Sequence, residues 1–171
     1  STIRHKKSGK RVILVGLHLR GYPSYNNSKT EIRQKQLEFI SNHILAKYSK
    51  EIESKSTSVI VLGDFNEEIS HKTDEIVRNN IVPFMKILKL HNVHERIPKN
   101  KLKNFQTTML GDHPWYIDYI LASRDVETLF LESLSRDRYP QIESYSDHYP
   151  VHAKLLINKS ATDTDHPGQE A

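Results

Sequence analysis

Apolar and polar positions alternate in blocks along the chain, divided by breaks rich in Gly, Pro and Asn. The run Val12 to Leu17, "VILVGL", is short and continuously apolar, the pattern of a strand buried on both faces. It follows "IRHKKSGKR", so a hairpin turning at Ser8 and Gly9 is predicted. After the loop "RGYPSYNNS", Ile32, Phe39, Ile40, Ile44 and Tyr48 recur at helical spacing behind a Ser28/Glu31 capping box. The spacing predicts one helix from Ser28 to Ile52. The run "VIVLGD", residues 59 to 64, repeats the buried-strand pattern.

Beyond Asn66, residues 71 to 90 carry a helical pattern broken at Pro83, which predicts two short helices in preference to one kinked helix. Residues 97 to 115 read as a loop with a short strand at Phe105 to Met109, and "YIDYILAS" (116 to 123) as a strand. Residues 125 to 135 fit either a helix or an extended segment. A loop over 136 to 150 leads to a final strand, "VHAKLLI", at 151 to 157; residues 158 to 171 form a polar tail expected to be disordered. Strands and helices alternate only in part, and apolar strands end repeatedly in polar residues. This argues for a mixed α/β sandwich with a site at its strand ends.

Composition narrows the chemistry. A chain of 171 residues, 36% hydrophobic and 27% charged, suits one ordinary globular domain. No apolar run has bilayer length, and "STIRHKKSGK" lacks the apolar core of a signal peptide, so a soluble chain is expected. With no cysteine, any metal must be held by Asp, Glu, Asn or His. The net charge of +4 is mild. Between Lys86 and Lys103, however, Lys86, Lys89, Arg96, Lys99, Lys101 and Lys103 gather with His91 and His94 against the lone acid Glu95. Such a segment suits a polyanion, although a solvated charged loop is the commoner explanation.

Four strand ends or adjacent loops present acids or imidazoles: His18, the pair Asp64 and Asn66, Asp118, and the pair Asp147 and His148. Each alone is ordinary, since strand-end Asp is a common turn former. Asp118 differs, because a carboxylate flanked by "YI" and "YIL" in a buried strand needs a cationic or N–H partner.

Taken in order, "GDFN", "IDYIL" and "SDHYPV", with "HL" closing a strand and an "RQKQ" helix, resemble the endonuclease/exonuclease/phosphatase (DNase I-like) superfamily of metal-dependent phosphoesterases. The resemblance runs from Val12 to about Ile157 and is nearest in flavour to deadenylase, nocturnin-like or nuclease-like members. It implies an α/β (α+β) fold, part of a four-layer α/β/β/α sandwich with a mixed sheet. It implies Mg²⁺, or Mn²⁺ in its place, and water attack on a phosphodiester of RNA or DNA. By the same carry-over, Asp118 holds His148 toward the scissile phosphate, Asp64 orients or deprotonates water, and Asn66 donates to a phosphate oxygen. His18 contacts a phosphate oxygen as well, and Asp147 binds metal or positions His148. Arg20 and Thr108, with its neighbour Thr107, are expected substrate contacts. Arg33 and Gln36 either reach the cleft or serve as helix contacts, while Glu67 and Glu68 are expected to face solvent.

The superfamily's first half supplies an asparagine and a metal-binding glutamate, yet "STIRHKKSGKRVILVGL" contains no Asn, Asp or Glu. Residues 1 to 157 are therefore expected to be the C-terminal portion of such a domain, with the N-terminal half missing. Alone, this portion should be inactive and should pair with its missing half or with itself. The alternatives are a sphingomyelinase or inositol-polyphosphate phosphatase, for which Tyr22 and Tyr25 are the candidate membrane-facing aromatics, and a non-catalytic scaffold.

Overall fold

The structure is a computed structural model that describes residues 1–6, 9–21, 27–69, 80–96, 105–110, 113–134, 139–141 and 146–158. The predicted hairpin forms between β1 (Thr2–Arg4) and β2 (Arg11–His18), which pair antiparallel. Helix α1 (Asn27–Glu53) then crosses over to β3 (Thr57–Asp64), which pairs parallel to β2 from Arg11 opposite Thr57 to His18 opposite Asp64. A crossover is what a parallel pair requires, since a tight turn cannot join parallel strands. Helix α2 (Ile81–Leu88), β4 (Leu90–Asn92) and a 3₁₀ turn (Val93–Arg96) follow. The short hairpin of β5 (Thr108–Leu110) and β6 (His113–Trp115) precedes β7 (Asp118–Ser123). The chain closes with the hairpin of β8 (Val126–Ser133) and β9 (Val151–Ile157).

The main sheet has five strands in the order β1-β2-β3-β7-β4, with β7 antiparallel to both its neighbours. Strand alternation gives it two apolar faces. Ile13, Val59, Val61 and Leu121 meet Leu37, Ile44, Phe84 and Leu88 of the helices on one side. On the other, Val12, Ile60, Ile120 and Ala122 meet Val126, Leu131, Val151 and Leu155 of the β8–β9 hairpin. Helices, mixed sheet and a second sheet thus stack in layers, as an α+β sandwich requires.

Several expectations shift. Residues 126 to 133 are strand and not helix, because their apolar positions cover the second face of the main sheet. Pro83 is the third residue of α2, in the first turn, where a backbone N–H has no intrahelical acceptor to lose. The short strand begins at Thr108, three residues later than expected. Ile32 and Phe39 fit the helical period but are exposed at 43% and 73%, since α1 buries its Leu37–Ile44 face instead. The expected first helix over 71 to 79, the loop at 22 to 26 and the tail from 159 lie outside the described residues. Among the described residues no helix is long and apolar enough to cross a membrane.

One backbone contact fixes how closely β2 and β3 meet at their C-terminal ends. Gly63 has φ +132°, and a Cβ there would lie 2.0 Å from the carbonyl oxygen of Leu17, its register partner. Any side chain would push the strand ends apart. We predict that Gly63→Ala costs about 2–4 kcal/mol, read as a lower urea midpoint. Gly16→Ala serves as the control, because a Cβ at Gly16 meets nothing within 4 Å; equal losses for both would refute the contact.

Candidate active site

Parallel pairing of β2 with β3 sets His18 opposite Asp64, and antiparallel pairing of β3 with β7 sets Asp64 opposite Asp118. Residues opposite one another in register share a face, so these three side chains form one row across three strands. The row lies on the β8–β9 side of the sheet, following the same alternation as Ile60 and Ile120. His148, just before β9, completes it: its Nδ1 lies 3.0 Å from Asp118 Oδ2 and its Nε2 lies 3.9 Å from Asp64 Oδ2. An ionised Asp118 can only accept, so His148 Nδ1 carries the hydrogen and Nε2 faces Asp64. His18 Nε2 stands 3.5 Å from Asp64 Oδ2 with its ring largely exposed.

The turn after β3 grips Asp64. The Asn66 backbone N–H donates to Asp64 Oδ1 at 2.7 Å, an Asx turn, and Asn66 Nδ2 donates to Oδ2 at 2.8 Å. Asn66 sits at φ 51°, a left-handed conformation that asparagine tolerates. Its Nδ2 also donates to the Leu19 carbonyl at 3.0 Å, so both amide hydrogens are in use. The expected donation from Asn66 to a phosphate gives way to a positioning role: Asn66 ties the ends of β2 and β3 together around Asp64.

The threonine pair also positions. Thr107 is fully buried, and its hydroxyl oxygen accepts from the N–H groups of Ile117 and Asp118 at 3.0 and 3.1 Å. Thr108, expected to touch substrate, is also fully buried and donates to the Asp147 carbonyl at 2.6 Å. A group with no exposed surface cannot meet a ligand. The two residues instead stitch the Asp118 strand to the His148 loop, reinforced by an isolated bridge between Thr108 and His148.

Glu67 reverses an expectation. It is buried, with Arg33 Nε at 3.2 Å and both the backbone N–H and Nδ2 of Asn80 donating to its carboxylate. Arg33 further reaches Thr30 and the Arg20 carbonyl, and Gln36 accepts from the Arg20 N–H at 2.9 Å. Arg33 and Gln36 are thus helix contacts that clamp α1 to both strand ends. Glu68 is half-buried and accepts from the Tyr116 N–H at 3.2 Å. An acid that meets its arginine across 34 residues leaves no local signature in the sequence.

The remaining candidates scatter. The Asp147 side chain is exposed and stands apart from the group whose ligand atoms lie within 4.8 Å of one another, which is Asp64, Asp118 and His148. Arg20 is exposed beside the row. In the basic segment, Lys86 and Lys89 are exposed, but His94 is buried against Phe105 and Tyr116. Burial pushes its pKa down to about 3, so it is neutral and no polyanion contact. Lys99, Lys101 and Lys103 lie outside the described residues. Between Asp118, His148, Pro150 and Val151 opens a cleft of about 440 Å³.

Burial holds the Asp64 carboxyl above its ordinary 3.8; the Asn66 N–H opposes this, the facing Asp118 carboxylate adds to it, and the two imidazoles oppose it. Since the folded state keeps this proton more tightly than the unfolded chain, the stabilisation it gives is present at low pH and lost as pH rises through the folded titration. Glu67, also raised by burial, contributes in the same direction. Asp118→Asn removes the like charge, so NMR titration should find Asp64 protonating at lower pH than in the wild type. An unchanged or higher titration would show that the two carboxylates do not interact.

No protein-family model and no curated protein matches the chain. Solved structures do. An endonuclease/exonuclease/phosphatase from Beutenbergia cavernae DSM 12333 superposes with a TM-score of 0.65 at 17% identity, over 93% of this chain and 39% of that one. The human nocturnin catalytic domain, solved with bound sulfate, gives 0.58 at 19% identity over 92% and 51% of the two chains. D. rerio TDP2, complexed with a single-strand DNA product, gives 0.53 at 17% identity over 87% and 58%. The chain thus spans from 39% to 58% of the length of these structures. Over that span it has the fold of the endonuclease/exonuclease/phosphatase proteins.

Proposed function

We propose that this chain is the C-terminal portion of a metal-dependent phosphodiester hydrolase acting on nucleic acid, with residues 1 to 157 forming the folded part. The observation that carries the reading is the row of His18, Asp64 and Asp118 across three adjacent strands, with His148 held on Asp118. Structural ion pairs are usually isolated; four titratable groups converging at one sheet end are what phosphoryl chemistry needs.

The donor set fits a divalent cation. Two carboxylates face each other directly; burial raises the Asp64 titration and the like charge of Asp118 adds to it, a penalty that a cation between them relieves. Carboxylate oxygens suit Mg²⁺ or Mn²⁺. Asp64 and Asp118, whose ligand atoms lie within 4.8 Å of one another, would hold it and leave His148 Nε2 for the phosphate. When bound, such an ion neutralises charge on phosphoryl oxygens.

The protein's own groups divide the remaining work. Asp64, fixed by two Asn66 N–H groups, accepts a proton from the attacking water. His148, aligned by Asp118, presents Nε2 to a phosphate oxygen and donates to it when protonated. His18, exposed at the row's other end, supplies a second imidazole for the same charge. The substrate class rests on the single-strand DNA product bound by the TDP2 neighbour and on the exposed Lys86 and Lys89.

Two measurements test the reading. Mn²⁺ at neutral pH should raise the melting temperature of the 171-residue chain by several degrees, and the gain should shrink in Asp118→Asn and at a pH where Asp64 is protonated. No shift with either Mg²⁺ or Mn²⁺ would exclude the ion. The chain alone should show negligible phosphodiesterase activity in Mg²⁺; turnover that Asp64→Ala abolishes would overturn its assignment as an incomplete catalytic unit.

A further inference from the structure

The row of titratable groups is open on both sides. Beyond Asp118 and His148 lies the cleft already described; beyond His18 lies a second depression, a groove of about 490 Å³ between the end of β2 and α1. His18, Leu19, Ile32, Lys35, Gln36 and Phe39 line it, and none of its lining side chains is a carboxylate. Its rim is Phe39, 73% exposed, with Ile32, 43% exposed, two turns before it on the same side of the helix. The ring lies nearly parallel to that of His43 one turn on, with centroids 6.2 Å apart and planes inclined by 21°. Lys35, Phe39, His43 and Lys47 recur at four-residue spacing, so cations flank the two rings along one exposed stripe.

Resting on the phosphodiesterase reading, we infer that this groove and stripe bind the nucleotides adjoining the scissile phosphate of a single-stranded nucleic acid. The shared residue is His18, which lines the groove and whose Nε2 stands 3.5 Å from Asp64, so a strand whose phosphate rests on the row can continue around the end of β2 into the groove. Aromatic faces take a base of any sequence by stacking, and lysines beside them take the flanking phosphates. The acid-free lining matches the charge of that backbone, and the groove's volume is of the size that holds a small ligand. An unpaired strand is required, because the bases of a duplex are stacked on one another and cannot reach Phe39.

The test is fluorescence anisotropy of a labelled single-stranded oligonucleotide with the 171-residue chain. Phe39→Ala, at an exposed position, should leave the melting temperature unchanged and weaken binding about 5- to 10-fold. Lys35→Gln should lower the slope of log affinity against log salt by about 0.7, one phosphate's worth for a single strand. Undiminished binding by Phe39→Ala overturns the inference. So does sedimentation showing that Phe39→Ala breaks a self-association while oligonucleotide binding persists, which assigns the groove to a second copy. If the wild type binds no oligonucleotide yet is still stabilised by Mn²⁺, the groove assignment falls while the metal-dependent hydrolase reading stands.

Discussion

The close approach of β2 to β3 at their C-terminal ends is the constraint on which the rest depends. A parallel pair with Gly63 against the Leu17 carbonyl brings His18 opposite Asp64, and the antiparallel addition of β7 brings Asp118 opposite Asp64 in turn. A one-residue slip in either pairing would turn one member of the row to the helix side of the sheet. Both apolar faces resist such a slip, because Val59 and Val61 are committed to the helices and Ile60 to the β8–β9 hairpin. The geometry of the row and the packing of the core are therefore set by the same hydrogen-bond register.

Around the row, buried polar groups turn loops into rigid supports. Asn66 binds Asp64 and the Leu19 carbonyl, Thr107 binds the N–H groups flanking the entry to β7, and Thr108 binds the Asp147 carbonyl. The Arg33–Glu67 pair, shared with Asn80 and Thr30, anchors the following turn to α1. Breaking a buried pair of this kind leaves a charge without its partner, which costs far more than the intact pair contributes. Such a shell holds the row in place, and the burial that comes with it raises the Asp64 and Glu67 titrations.

Strands β2, β3, β7 and β9 and helix α1 were legible because each is a continuous apolar or periodic run of sufficient length. Residues 125 to 135 were not: their pattern fits two periods equally, and only the second sheet face they cover decides for strand. Phe39 shows the converse, an apolar residue seven positions from Ile32 that stands on the side of α1 away from its buried Leu37–Ile44 face and so is left in water. Asp64, Asp118 and His148 were identified as a group from the motifs that contain them. The roles of Thr108 and Glu67 were not, since burial arises from chain segments tens of residues away.

By itself the sequence determined which polar residues stand at the strand ends and which segments are regular enough to hold them, because apolar periodicity and the "GDFN", "IDYIL" and "SDHYPV" motifs are local. Only the tertiary structure decided which polar groups face the row and which are consumed in building it. Asn66, Thr107, Thr108 and Glu67 have the residue types of ligands, but each gives its hydrogen bonds to the protein. The physical reason is that a buried polar group must be satisfied where it lies, and its partner is set by the fold and not by its neighbours in the chain.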